Sequence, residues 1–84
     1  MAPDDTWSAV MKLRELRIQA LLTQKELGEK AGVATVTIAV LERGGQLPSP
    51  KTSRKLAVAL GVDPKEIDEV QQAVERALNK ESGR

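Results

Sequence analysis

An all-α fold of five short helices is predicted for this 84-residue chain, and three observations predict it. Thr23 and Glu26 have the spacing of a capping box, in which the threonine hydroxyl accepts from the Glu26 amide and the Glu26 carboxylate reaches back. Ser49-Pro50 and Asp63-Pro64-Lys65-Glu66 are further start signals, with proline in a first turn where a missing amide costs nothing. Apolar residues then recur at helical steps: Leu27 and Ala31, Ile38 and Leu41, then Ile67, Val70, Val74 and Leu78.

Helix one is expected from near Asp5 or Thr6 to about Ala20, with Trp7, Val10, Met11, Leu13 and Leu16 as its apolar positions. Helices two and three are placed at about 24–31 and 35–43. Gly32 falls where a helix ends by turning left-handed, and Val33 plugs the turn. Gly28 lies where the second of this pair crosses the first, so a small residue permits close approach. Gly44 to Pro48 form an irregular loop. Ser49 caps helix four, which buries Leu56, Ala57 and Leu60 and ends at Gly61. The Asp63 box opens helix five, which runs to about Asn79, and Lys80–Arg84 is expected to fray. The length supports one domain. Its core spans about 12–70, with an N-terminal helical extension over 4–11 and a C-terminal helix extension over 71–80. A chain this short buries only roughly two-thirds of its unfolded surface, so a second copy would add stability.

Composition removes several function classes. There is no Cys and no His. Disulfides, the usual zinc sites, thiol nucleophiles and imidazole chemistry are therefore out of reach. No glycine-rich phosphate loop is present, so neither an enzyme nor a cofactor is expected. Trp7 is the only aromatic residue. Single strands are usually held on aromatic platforms, which this chain lacks, and sheet-based RNA readers need the same rings. The net charge of +1 hides an uneven distribution. Lys12 to Lys55 carries nine basic residues against four acidic, while the segments on either side are each net −2. The positive stretch coincides with the Thr23–Arg43 helix pair, where a phosphate-facing surface would lie.

A capping box, a small residue inside the first helix, glycine at the turn and a β-branched apolar residue inside the second are marks of a helix-turn-helix. In that motif the second helix enters the major groove of DNA. The segments TQKELGEKAG, VATVTIAVLERG and LAVALGV, within a match from about Leu13 to Ile67, resemble the Cro/phage-repressor (Xre) helix-turn-helix family. The resemblance implies a five-helix lambda-repressor-like domain that binds double-stranded DNA at helices two and three.

By this resemblance, Thr23 and Gln24 meet the DNA backbone at the start of helix two, where amides point at a phosphate. Thr23 is also simply a cap; Gln24 has no capping duty. Ala34, Thr35, Val36, Ala39 and Val40 take the positions that read base edges. Here the chain departs from the family, which favours Ser, Arg, Gln or Lys at these places. Side chains able to bond a base bidentately are absent. Val36 and Val40, one turn apart, either pack on thymine methyl groups or mark a protein-contact surface. Arg43 falls where the family places a phosphate contact. Lys51 and Arg54 either add charge that the Gly45-Gln46-Leu47 loop lacks or are merely solvated. Arg17 and Glu42 match a structural ion pair that sets the angle of helix three.

Val70, Val74, Leu78 and Trp7 are candidates for a dimer interface. Val74 and Leu78 either pair with a second copy or pack on Trp7, Val10 and Met11. The resulting expectation is a cytoplasmic, prokaryotic or phage-encoded homodimer acting as a transcriptional regulator, a repressor in the first instance. The rivals are an antitoxin gripping a toxin and a protein-interaction module that kept the fold without DNA binding. Pro3, Asp4 and Asp5 occupy the place of a basic signal-peptide start, and no apolar run approaches the ~20 residues of a membrane span.

Overall fold

The computed structural model describes residues 10–82. Five α-helices follow one another among them: α1 (Leu13–Gln19), α2 (Gln24–Ala31), α3 (Thr35–Glu42), α4 (Pro50–Leu60) and α5 (Asp68–Ser82). A single 3-10 turn covers Pro64–Glu66.

The capping box closes as its spacing demands. Thr23 Oγ1 accepts from the Glu26 amide at 3.0 Å, and Glu26 Oε1 accepts from the Thr23 amide at 2.9 Å. Gly32 ends α2 in the left-handed region (φ 73°), and the amides of Gly32 and Val33 both donate to the Gly28 carbonyl. A Cβ on Gly28 would stand 2.5 Å from the Val33 carbonyl oxygen, so only glycine lets the turn close over α2. Ser49 Oγ accepts from the Thr52 amide to start α4, with Pro50 in its first turn, and Gly61 ends it.

The core gathers one face of every helix. Leu13 and Leu16 come from α1, Leu27 from α2, Ile38 and Leu41 from α3, Leu56, Ala57 and Ala59 from α4, and Val70 from α5, with Ile67 ahead of it. Leu60, expected fully inside, is half-buried, and Ala59 takes a buried place instead.

The beginning of the chain departs from expectation. Helix one does not run through residues 10–12; it begins at Leu13. The predicted stretch before Val10, with Trp7, lies outside the described residues. Met11 is extended because it pairs in parallel with Ile67: its amide donates to the Glu66 carbonyl at 2.9 Å and its carbonyl accepts from the Asp68 amide at 2.8 Å. Lys12 Nζ meets Asp68 Oδ2 at 3.0 Å, and buried Glu69 accepts from the Leu13 amide at 2.8 Å. A carboxylate there satisfies an orphan donor and complements the positive end of α1.

The same pairing corrects helix five. Ile67 must be extended to bond Met11, so Asp63 starts only the 3-10 turn, its side chain accepting from the Lys65 amide and its carbonyl from that of Glu66, and α5 begins afresh at Asp68. Its far end runs through Ser82, past the expected fraying point.

Two substitutions test this frame by chemical denaturation. Gly28→Ala is expected to lower stability by about 1–2 kcal/mol, because the clash with the turn outweighs the gain in helix propensity. Glu69→Ala is expected to cost about 1–3 kcal/mol by leaving the Leu13 amide without its partner. A neutral result for Glu69→Ala would mean that the N-terminal clasp does not hold the domain.

Candidate nucleic-acid interface

Glu42 at the end of α3 organises this side of the molecule. Its Oε2 lies 2.6 Å from Arg17 Nε, its Oε1 accepts from Arg17 Nη2 at 3.1 Å, and the same Oε1 accepts from Gln24 Nε2 at 3.0 Å. Arg17 Nη1 also donates to the Leu22 carbonyl at 2.9 Å. One fork therefore ties α1, the α1–α2 connection, α2 and α3. The side chains of Arg17 and Glu42 are only 12% and 4% exposed, so the pair is shielded from solvent. Burial by itself would raise the Glu42 carboxyl, but hydrogen bonds from Arg17 and Gln24, and the charges of Arg17 and Arg14, hold it below its ordinary value.

Around this anchor the outer residues fall into two groups. Ala34, Thr35 and Val36 are exposed, Val36 at 68%. Ala39 and Val40 are half-buried. Val36 and Val40 are thus not equally free. The chain reverses after α3 with Gly44 at φ 80°, the Gly45 amide donates to the Val40 carbonyl at 2.9 Å, and a Cβ on Gly45 would meet Val40 Cγ1 at 2.9 Å. The returning backbone covers one flank of Val40. Arg43 is exposed just beyond α3, which ends at Glu42. Thr23 and Lys51 are exposed; Gln24 is half-buried, its amide spent partly on Glu42.

Sequence reasoning overlooked Arg14. It lines a shallow cleft with Gln24, Ala39, Glu42 and Arg43, bringing a second exposed cation beside the end of α3. Its signal was present: Arg14 and Arg17 stand one helical turn apart, and neighbours at that spacing share a face.

The candidate dimer set divides. Val70 is 4% exposed and belongs to the core, which removes it from any outer interface. Val74 and Leu78 remain exposed at 45% and 59%, and Trp7 lies outside the described residues. Val74 and Ala77 line an apolar groove of about 300 Å³ with Pro48, Pro50 and Arg54. Among the described residues no acidic cluster is placed to hold a metal, and no helix is long and apolar enough to cross a membrane.

The Glu42 network carries a pH signature. Because the folded carboxyl titrates below the unfolded one, its contribution is complete above about pH 4.3 and fades as pH falls through the folded value. Asp68, held low chiefly by its hydrogen bond from Lys12, acts in the same direction. Urea titrations from roughly pH 6 to pH 3 are expected to lose stability less steeply in Glu42→Gln than in the native chain. Glu42→Ala is expected to cost about 3–5 kcal/mol at neutral pH, and the Arg17→Met/Glu42→Leu pair less, because it strands no buried charge.

A family model described as helix-turn-helix matches residues 13–67. An uncharacterized HTH-type transcriptional regulator of Methanothermobacter thermautotrophicus is 45% identical over 49 residues, covering 58% of this chain and 71% of that protein. The uncharacterized HTH-type transcriptional regulator YgzD of Bacillus subtilis is 32% identical over 56 residues, covering 67% of this chain and 85% of that protein. No solved structure matches the chain significantly. The matched span takes in the capped α2, the glycine turn and α3 as well as the Arg17–Glu42 pair, and the chain belongs to the Xre-type helix-turn-helix family.

Proposed function

We propose that this protein is a homodimeric, cytoplasmic repressor that lays α3 in the major groove of a two-fold duplex site and thereby blocks transcription. Membership of the family supports the coarser statement, DNA binding in transcription regulation. The observation that carries the finer reading is the free outer side of Ala34, Thr35 and Val36, on a helix whose other end is clamped by Arg17, Glu42 and Gln24. A rod fixed at its base and bare over its first turn suits insertion between two phosphate ridges.

Backbone contacts fall to the residues around it. The capping box uses the amides of Thr23 and Glu26, which leaves those of Gln24 and Lys25 for a phosphate at the positive end of α2. Arg43 and Arg14 flank the far end of α3, and Lys51 stands at the start of α4. Ala39 and Val40 contribute less, being half-buried. So few cations predict modest affinity and a shallow salt dependence. The dimer places two copies of α3 about 34–36 Å apart, with Val74 and Leu78 of α5 offering the apolar surface for self-association.

Fluorescence anisotropy with the full chain and random duplex is expected to give micromolar-range binding at low salt that weakens as salt rises. Arg43→Glu and Gln24→Ala are each expected to weaken binding about tenfold with unchanged circular dichroism, and Arg43→Glu also to flatten the salt slope. Val36→Glu probes the groove more cleanly than a change at Val40, since Val36 has less packing to lose; it is expected to abolish binding. Absence of salt-dependent binding at micromolar protein would sink the DNA reading and favour a protein-contact surface, whether for a toxin or another partner.

A further inference from the structure

We propose that α3 recognises its target through C5-methyl groups in the major groove, so that thymine is distinguished from uracil and 5-methylcytosine can stand in for thymine. This rests on the duplex-binding reading above. The base-facing end of a recognition helix is its N-terminal part, and here that part is Ala34, Thr35 and Val36, all exposed. Their outer atoms are methyl groups, with the Thr35 hydroxyl as the one polar exception. Guanine and adenine are usually read by bidentate Arg, Lys, Asn or Gln. The nearby side chains of those types are committed or displaced. Arg17 is forked onto Glu42 and the Leu22 carbonyl, and Gln24 donates to Glu42. Arg14 and Arg43 sit with Ala39 beside the opposite end of α3.

An apolar side chain can tell base pairs apart in the major groove by the methyl group on C5 of thymine. Uracil presents the same hydrogen-bonding groups without that methyl, and 5-methylcytosine carries a methyl on the same ring carbon while pairing with guanine. A surface built from Val36 and its neighbours therefore responds to the methyl and is nearly indifferent to the polar pattern beside it. Val36 is the specificity-determining residue: it is 68% exposed and makes no contribution to the core, so its side chain is free to meet the base.

The test begins with duplexes selected by the full chain from a random pool. Each thymine in a selected duplex is replaced in turn by uracil, and affinities are compared by anisotropy at fixed salt. One or two positions per half-site are expected to lose about fourfold each, the ratio that burying one methyl corresponds to. At those positions a 5-methylcytosine·guanine pair is expected to bind within about twofold of thymine·adenine, and unmethylated cytosine·guanine to bind several-fold less tightly. Val36→Ala is expected to erase most of the thymine-to-uracil difference, so that its affinities for the two duplexes fall within about twofold of one another. Tight, salt-dependent binding that is equal for thymine and uracil duplexes would overturn the methyl proposal and leave duplex binding standing. Failure to enrich any duplex, with no salt-dependent binding to the pool, would overturn both.

Discussion

The carboxylate of Glu42 is nearly out of water, and a charge in that position is tolerated only because it is paired and hydrogen-bonded. Arg17 meets it with two nitrogens and uses a third on the Leu22 carbonyl, while Gln24 approaches from the start of α2. The planar guanidinium fixes direction as well as distance. Three helices are therefore referenced to one group at the end of α3. Replacing the pair by apolar residues removes this directional reference even where it costs little stability. The contribution of the pair lies in orientation, since it fixes the direction of α3 against α1 and α2.

A second clasp holds the opposite side. Met11 and Ile67 are joined by backbone pairing, Lys12 by its ammonium to Asp68, and Leu13 by its amide to Glu69. These bonds connect the start of α1 to the start of α5 across most of the sequence. They explain why α1 is shorter than its apolar periodicity suggests, and why α5 does not grow out of the Asp63 turn. An extended residue on each side is the geometric cost of making the bond between them.

In the proposed function, affinity and selectivity fall to different parts of this surface. The exposed cations Arg14 and Arg43 lie beside the end of α3 and Lys51 stands at the start of α4, while the first-turn amides of α2 add a fixed partial charge. The outer side of α3 itself is methyl-rich and uncharged. Phosphate contacts position a protein on the duplex, and base contacts specify where it stays. On the proposed duplex-binding reading the first set is sparse and the second steric, and a second copy would add both strength and discrimination.

Much of the architecture was legible in the residues because its causes are local. The Thr23–Glu26 box, the Gly32 and Gly61 stops and the Ser49-Pro50 start act within four residues, and the helices they delimit appear where their spacing places them. The Arg17–Glu42 pair was legible by resemblance, as was the exposure of Ala34, Thr35 and Val36 on α3, whereas Ala39 and Val40 are half-buried. What the sequence by itself determined, then, is the helix inventory, the turn between α2 and α3, and the excess of positive charge around them. Tertiary structure alone decided the extended Met11, the break at Ile67, the buried cap from Glu69, the tether on Gln24, the cover over Val40 and the arrival of Arg14 beside Arg43. Each of these depends on groups brought together from distant parts of the chain. No local periodicity encodes such a meeting, because the bonds that produce it exist only after the core has closed.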